Sequence, residues 1–322
     1  MFSIPVLKNS NASINWKDGS CSPCNSCVRL TLPLFNPKHP DKIMYNDIVQ
    51  GNIGSCWFLS VLISYIRPNT KNIESRITDI YKSISIYRHD AAEGGGAVEG
   101  PRTIYIVKLN NLNIYVDDYI LDSYDKEIKG NKLFKCMWYI LFEKAMISLM
   151  TYNQDKSVKS HFFKNNLYVE DINARYGEMK SATIGIGYLI SKSCHCYCLH
   201  KQDSEYSLTH IDSKEMYLRF KSGDHIMANT ARWTYPGAKF PTREFVNSAG
   251  GVATHCYAII DMIYSKEKNT YLMTIQNPWG NREIAERGTN FVYPEGVESG
   301  KGTSIITWER FHHLFACVHM TK

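Results

Sequence analysis

The sequence predicts an α+β protein of two lobes, a helical first lobe and an antiparallel β second lobe with a cleft between them. Its 322 residues exceed one ordinary core, because a domain usually holds about 100–200 residues. Two helix-type runs lie in the first half, Ser55 to Ile66 and the amphipathic Lys132 to Met150. From Ser181 onward the runs are short, β-branched and separated by turns, which is typical of antiparallel sheets. We therefore predict an N-terminal extension (1–40), a first lobe (41–177) and a second lobe (178–322).

Smaller elements of the first lobe follow from local composition. Two β-rich runs, Thr103 to Leu109 and Asn113 to Val116, predict strands separated by an asparagine turn. The glycine-rich stretch from Ala91 to Gly100 predicts a flexible insertion loop. The first 40 residues are polar and contain prolines, which favours an extended arm.

The most informative motif runs from Gln50 to Leu59 and places Cys56 at the start of an apolar helix, behind two turn glycines. A helix N-terminus stabilises a thiolate through its unpaired N–H groups and the positive end of its dipole. Gln50 can donate a side-chain N–H to the oxyanion that forms when such a thiolate attacks a carbonyl. A lone cysteine is more often a buried structural residue, so this motif alone leaves both interpretations open.

A base and its orienting group are expected at His255 and Asn277. His255 stands at the start of an apolar strand, and Tyr271 to Gln276 forms a second β-rich run that ends at Asn277. The polar turn Ser265 to Thr270 would join them as a hairpin, which brings the two side chains together. The asparagine carbonyl can then accept the imidazole N–H and fix its tautomer, while Trp279 shields the pair from water.

These residues, in the order Gln, Cys, His, Asn, resemble the catalytic core of the calpain-type cysteine proteases, which share the papain-like mechanism. The resemblance covers much of residues 40–318. It consists of five blocks in matching order: Gln50–Leu59, Asn113–Asp118, Met137–Ala145, Thr254–Tyr257 and Asn277–Gly280. The proline after Asn277 and the second and third blocks favour calpain over papain itself.

The resemblance implies a papain-like two-lobe fold and hydrolysis of peptide bonds through a thioester acyl-enzyme. It implies Cys56 as nucleophile, His255 as general base and later acid, and Asn277 as orienting residue. The side chain of Gln50 and the backbone N–H of Cys56 would form the oxyanion hole. Four further residues would line or shield the cleft: Gly54, Ser55, Thr254 and Trp279. Two of them depart from the family, since Ser55 replaces an acidic residue and Thr254 replaces a glycine.

The resemblance also implies a calcium switch that draws the lobes together. Calcium takes several oxygen ligands, and Asp47 and Glu143 match the family's acidic positions in the first lobe. An equally open interpretation is that Asp47 caps a turn and Glu143 pairs with a neighbouring base. In the second lobe only Glu283 keeps its place, because the later acidic cluster reads Ser299-Gly300-Lys301-Gly302 here. We therefore expect one calcium site or none, and no organic cofactor.

Composition argues against several other classes. No apolar run approaches the roughly 18 residues that a membrane-spanning helix needs, and no signal peptide is recognisable. We therefore expect a cytoplasmic protein without a membrane domain. The formal charge of +6 is modest and no lysine–arginine block occurs, so nucleic-acid binding is not expected. The expected partners are protein or peptide substrates, and the sequence identifies no regulatory partner.

Ten cysteines raise a disulfide or metal interpretation. Cys21, Cys24 and Cys27 have the two-residue spacing of zinc ligands, with His39 as a candidate fourth ligand. A second paired knuckle is missing, so this spacing is a weak signal and reduced thiols are the default. Three further cysteines alternate as residues on one face of a strand do: Cys194, Cys196 and Cys198.

Two other functions remain open from the sequence. One is a non-catalytic calpain-like module that holds extended peptides in its cleft. The other is acyl transfer to an amine by chemistry of the transglutaminase type. Transglutaminases usually orient the histidine with aspartate, so Asn277 favours hydrolysis.

Overall fold

The structure is a computed structural model and describes residues 27–51, 54–68, 72–88, 103–110, 112–121, 126, 130, 133–154, 182–199, 209–230, 245–246, 252–253, 255–281, 284 and 300–322. Its fold is of mixed α+β type, which confirms the predicted class. The chain divides into a first unit (Met1–Ile43, Gly51–Ile53, Ser75–Arg175) and a second unit (Met44–Gln50, Gly54–Glu74, Tyr176–Lys322). In this grouping Cys56 falls in the second unit together with His255. The predicted lobe boundary after residue 177 stays a prediction.

The first unit contains a sheet as well as helices. Strands β2 (Ile84–Arg88), β3 (Thr103–Leu109) and β4 (Leu112–Asp117) pair antiparallel in that order. Two shorter strands, β1 (Cys27–Arg29) and β5 (Tyr119–Leu121), pair antiparallel with each other. The strands predicted at 103–109 and 113–116 are thus confirmed. The predicted loop at 91–100 lies outside the described residues.

The long helix of the first unit begins later than the sequence predicts. Helix α3 spans Trp138–Gln154, not Lys132 to Met150, and packs on β3 and β4. The backbone N–H groups of Met137 and Trp138 donate to the carbonyls of Pro33 and Leu34 at 2.9 and 3.0 Å. These contacts satisfy donors at the helix start that have no partner within the helix, so they fix where it begins. The described part of the predicted N-terminal arm is therefore bonded to this unit.

The second unit is organised around one sheet. Its described strands run in the order β13-β12-β11-β8-β14-β6-β7, and each neighbouring pair is antiparallel except β6 with β7, which is parallel. Their bounds are Cys194–Cys198 (β6), Thr209–His210 (β7), Ile226–Thr230 (β8), Cys256–Ser265 (β11), Thr270–Gln276 (β12), Thr303–Thr307 (β13) and Phe315–Thr321 (β14). The short strands β9 (Phe245–Val246) and β10 (Val252–Ala253) form a separate pair. The predicted hairpin with its turn from Ser265 to Thr270 is confirmed as β11 and β12.

The helices of the described residues are α1 (Cys56–Tyr65), α2 (Ile73–Lys82), α3, α4 (Ala182–Leu189), α5 (Ser213–Ser222) and α6 (Trp308–Leu314). Helix α1 confirms the predicted run within one residue at each end. Its residues from Cys56 to Ser64 are all buried, as expected of a helix that is apolar on most of its surface. It packs against β11 and α4, where Gly185 permits the approach because a Cβ there would lie 3.2 Å from Val61. Within the described part of the chain, no helix has both the length and the apolar character that crossing a bilayer requires.

Gly302, the residue before β13, forms a backbone hydrogen bond with Asn277, the residue after β12. Its carbonyl accepts the backbone N–H of Asn277 at 2.9 Å. Its φ of +82° lies in the left-handed region, which side chains with a Cβ rarely adopt. A Cβ here would also stand 3.0 Å from the carbonyl oxygens of Asn277 and Asn281. The position therefore requires glycine for two separate reasons.

We expect Gly302→Ala to lower the free energy of unfolding by clearly more than Gly223→Ala does. Gly223 ends α5 with a φ of +107°, and nothing lies within 4 Å of the position that a Cβ would take, so alanine there adds backbone strain alone, about 1–2 kcal/mol. Gly302→Ala adds the backbone clash to a similar strain. Urea unfolding of both variants measures the difference, and equal losses would contradict the role given to close packing beside Asn277.

Candidate active site

His255 and Asn277 meet at the open end of the β11–β12 hairpin. His255 directly precedes β11, and Asn277 directly follows β12. Antiparallel pairing of Ala258 with Gln276 brings these two ends together. The Nε2 atom of His255 lies 2.8 Å from Oδ1 of Asn277, and both residues are buried. The hairpin thus brings together the two side chains as the sequence leads us to expect, while their catalytic roles stay predictions.

The hydrogen bonds of Asn277 identify the tautomer of His255. Oδ1 of Asn277 also accepts the backbone N–H of Trp279 at 3.0 Å, so this atom must be the carboxamide oxygen and not the nitrogen. An oxygen cannot donate, so Nε2 of His255 must carry the proton in this bond. In the neutral ring the lone pair then belongs to Nδ1. The site therefore holds an imidazole whose basic nitrogen is Nδ1.

Neighbouring groups hold His255 rigidly. Its backbone N–H donates to Oγ1 of Thr230 at 2.9 Å, and its carbonyl accepts the N–H of Thr230 at 3.0 Å. The rings of Tyr257 and Trp279 each lie 5.0 Å from the imidazole, the first edge-on and the second tilted by 54°. Half-buried Trp279 covers the imidazole, which is where the sequence analysis expects a shielding ring. Removal of water strengthens the His255–Asn277 bond, because the local dielectric constant falls.

Helix α1 carries Cys56 against the strand that follows His255. Oγ of Ser60 donates to the carbonyl of Cys256 at 2.8 Å, which fixes the helix on the first residue of β11. Cys56 lies four residues before Ser60 and so occupies the same helix face, one turn closer to the N-terminus. It is 8% exposed, and no acidic residue occurs in the first turn to oppose the helix dipole.

The remaining predicted cleft residues have different outcomes. The backbone N–H of buried Gln50 donates to the carbonyl of Pro278 at 2.7 Å, so Gln50 lies beside the Asn277 segment. Buried Ser55 directly precedes α1, and its carbonyl accepts the N–H groups of Phe58 and Leu59. Gly54 is half-buried, and Thr254 lies outside the described residues.

The two residues matched to calcium ligands belong to different units. Asp47 is buried in a short 3-10 helix (Tyr45–Asp47), where Oδ2 accepts the backbone N–H of Met44 at 3.3 Å. This is the turn-capping role considered as the alternative to metal binding. Glu143 is fully buried in α3 beside buried Lys144. In the second unit Gly300 and Lys301 lie in a turn, and Glu283 lies outside the described residues.

Sequence reasoning missed a second group of reactive side chains in the sheet. The donor atoms of Cys196, Cys317 and His319 all lie within 4.8 Å of one another. The sequence signal was present, since Cys194, Cys196 and Cys198 alternate along β6 while Cys317 and His319 are two apart in β14. Only the pairing of these strands shows that they converge. The candidate knuckle of the sequence analysis cannot be compared with it, because Cys21 and Cys24 lie outside the described residues.

Contacts within this group shift the pKa values of its members. The hydrogen bond to Cys317, assisted by His319, lowers the pKa of Cys196 to about 5 although burial opposes the shift. The hydrogen bond to Cys196 and burial raise the pKa of Cys317, so this thiol keeps its proton. Burial lowers the pKa of His319, but hydrogen bonds to Cys194 and Cys196 and their charges outweigh it and raise the value to about 9. The directions of these shifts favour a charged Cys196 and a protonated His319.

Comparison with models of known protein families and with curated proteins gave no match for this chain. The assignment of the site therefore depends on its own residues and geometry.

We expect NMR of ¹⁵N-labelled histidine to show His255 with its proton on Nε2 when the ring is neutral. Asn277→Ala should shift the ring toward a mixture of tautomers, because a buried N–H without an acceptor costs about 1–3 kcal/mol. His225 is an internal control, since its Nδ1 lies 2.9 Å from the carbonyl oxygen of Ser64 and requires the opposite tautomer. A wild-type His255 protonated on Nδ1 would refute the geometry given to the base.

Proposed function

We propose that this protein is a cysteine endopeptidase of calpain type, with a papain-like fold, acting on protein or peptide substrates. The observation that carries the proposal is the position of Oδ1 of Asn277. This atom accepts from both Trp279 N–H and His255 Nε2, which leaves Nδ1 as the base. The docking of α1 through Ser60 supports Cys56 as its partner.

In the proposed mechanism, Nδ1 of His255 takes the proton of the Cys56 thiol, and the sulfur attacks the carbonyl carbon of the scissile peptide bond. The backbone N–H of Cys56 and the side chain of Gln50 stabilise the oxyanion. The imidazolium then gives its proton to the departing amine, which leaves a thioester on Cys56. A water molecule, deprotonated by Nδ1, attacks the thioester and releases the acid and the thiol. Asn277 keeps the ring in one tautomer throughout, as orienting residues of such triads do.

The test is peptidase activity toward casein and a quenched fluorescent peptide, measured as kcat/KM. We expect Cys56→Ala to lose about 10³-fold or more, because removal of an acyl-forming nucleophile abolishes the covalent route. Cys136→Ala is the matched control, since Cys136 is also buried but lies in the first unit, and it should stay within a few-fold of wild type. Iodoacetamide should label Cys56 in wild type and not in Cys56→Ala.

Other outcomes would favour other functions. Binding of extended peptides without any cleavage, by wild type as well as by Cys56→Ala, would contradict the peptidase and favour a non-catalytic module. Formation of crosslinks to an added amine in place of cleaved products would favour acyl transfer. Equal kcat/KM values for wild type and Cys56→Ala would exclude Cys56 as the nucleophile.

Calcium regulation at one site or none is a separate proposal. Asp47 and Glu143 are buried, and their carboxylates are the ligand type that calcium takes. The turn at Gly300 and Lys301 does not fit a second site, because among its described residues a lysine stands in place of carboxylates. Bound calcium would neutralise buried negative charge. The peptidase activity would then depend on the calcium concentration.

We expect peptidase activity to respond to calcium with a Hill coefficient of about one, as a single ion requires. Glu143→Gln should raise the calcium concentration for half-maximal activity at least tenfold, whereas the exposed control Glu215→Gln should not change it. Titration from a chelator-treated sample measures both values. If chelator did not change the activity, the proposed calcium site would be contradicted. A steep response that requires two ions would contradict the absence of a second calcium site.

A further inference from the structure

The group formed by Cys196, Cys317 and His319 lies on one face of the second unit's sheet. Strand pairing sets His319 of β14 directly opposite Cys196 of β6. Cys317 lies two residues before His319 and so points to the same face. This arrangement comes from the backbone ladder and does not depend on the catalytic assignment of Cys56.

We propose that Cys196, Cys317 and His319 bind one zinc ion that ties strand β6 to strand β14. Two thiolates and one imidazole are the ligands that zinc prefers in proteins. Two thiolates also neutralise the charge of the ion, which suits a largely buried position.

The distances fit a tetrahedral site. Nε2 of His319 lies 3.9 Å from Sγ of Cys196 and 3.9 Å from Sγ of Cys317. With Zn–S near 2.3 Å and Zn–N near 2.0–2.1 Å, a tetrahedral ion would separate sulfur and nitrogen by about 3.6 Å. Each pair therefore needs to close by only about 0.3 Å on binding, which small side-chain rotations provide.

His319 is already held for metal binding through its other nitrogen. Oγ1 of Thr183, on helix α4, lies 3.3 Å from Nδ1. When this hydroxyl accepts the Nδ1–H, the lone pair of the neutral ring is on Nε2, which is the nitrogen that the two sulfurs surround. Histidines that bind metals usually donate their second N–H in this manner.

Asn229 offers the fourth donor. Its Nδ2 lies 3.0 Å from Nε2 of His319, and its Oδ1 is buried without a hydrogen-bond partner in the described part of the chain. Rotation of the amide by half a turn places Oδ1 where Nδ2 stands. A separation of 3.0 Å is close to the roughly 3.3 Å expected between oxygen and nitrogen ligands of tetrahedral zinc. With four protein ligands the site is closed, as structural zinc sites are.

The experiment measures zinc in the full chain, purified without chelator, by mass spectrometry and by cobalt substitution. We expect about one equivalent of zinc per chain and a thiolate-to-cobalt charge-transfer band. Both should persist in Cys21→Ser/Cys24→Ser, which removes the other candidate ligands, and disappear in Cys196→Ser/Cys317→Ser. Thr183→Val should weaken zinc binding about tenfold or more, as loss of a hydrogen bond to a metal-bound histidine does.

A measurement on wild type keeps the proposal testable if the double variant does not fold. Zinc should protect Cys196 and Cys317 from alkylation, and a strong chelator should expose both, as peptide mass spectrometry would show. Zinc retained by a folded Cys196→Ser/Cys317→Ser protein would overturn the proposal. So would a cobalt spectrum without thiolate bands, or a disulfide between these cysteines in protein isolated without oxidant.

Discussion

The candidate active site depends on one acceptor atom, Oδ1 of Asn277. Because the backbone N–H of Trp279 donates to it, the carboxamide cannot turn over without losing a buried hydrogen bond. Its oxygen therefore always faces Nε2 of His255, and the imidazole has one favoured tautomer. A single backbone donor thus determines which ring nitrogen is basic.

The rest of the sheet holds this atom in place. The N–H of Asn277 donates to the carbonyl of Gly302, so the end of β12 is tied to the residue before β13. Thr230, the last residue of β8, bonds the backbone of His255 from the other side. The pair is therefore positioned by four strands, β8, β11, β12 and β13. Helix α1 packs on β11, and the hydroxyl of Ser60 donates to the carbonyl of Cys256, which fixes the position of Cys56 along this strand.

Local pattern was sufficient for the elements near the active site and insufficient for the second group of donors. The apolar run of α1 and the turn at 265–270 carry their own signals, so helix and hairpin could be predicted, and the 22-residue separation of His255 and Asn277 is spanned by that hairpin. Cys196 and His319 are 123 residues apart, and only long-range pairing of β6 with β14 joins them. The predicted start of α3 at Lys132 was wrong for a similar reason. The helix begins at Trp138 because the carbonyls of Pro33 and Leu34, about 100 residues earlier in the chain, accept the N–H groups of Met137 and Trp138.

The second unit contains two groups of thiol and imidazole, and they are expected to serve different chemistry because their histidines are held by opposite nitrogens. His255 is held at Nε2 by an amide oxygen, so Nδ1 is left to take a proton from a single proposed nucleophile. His319 is held at Nδ1 by a hydroxyl, and two sulfurs converge on Nε2. One thiol beside a basic nitrogen suits proton transfer. Two thiols around one nitrogen suit binding of a metal ion such as the proposed zinc. The nitrogen that is left free to face sulfur, and the number of sulfurs proposed around it, therefore distinguish the proposed catalytic pair from the proposed zinc site.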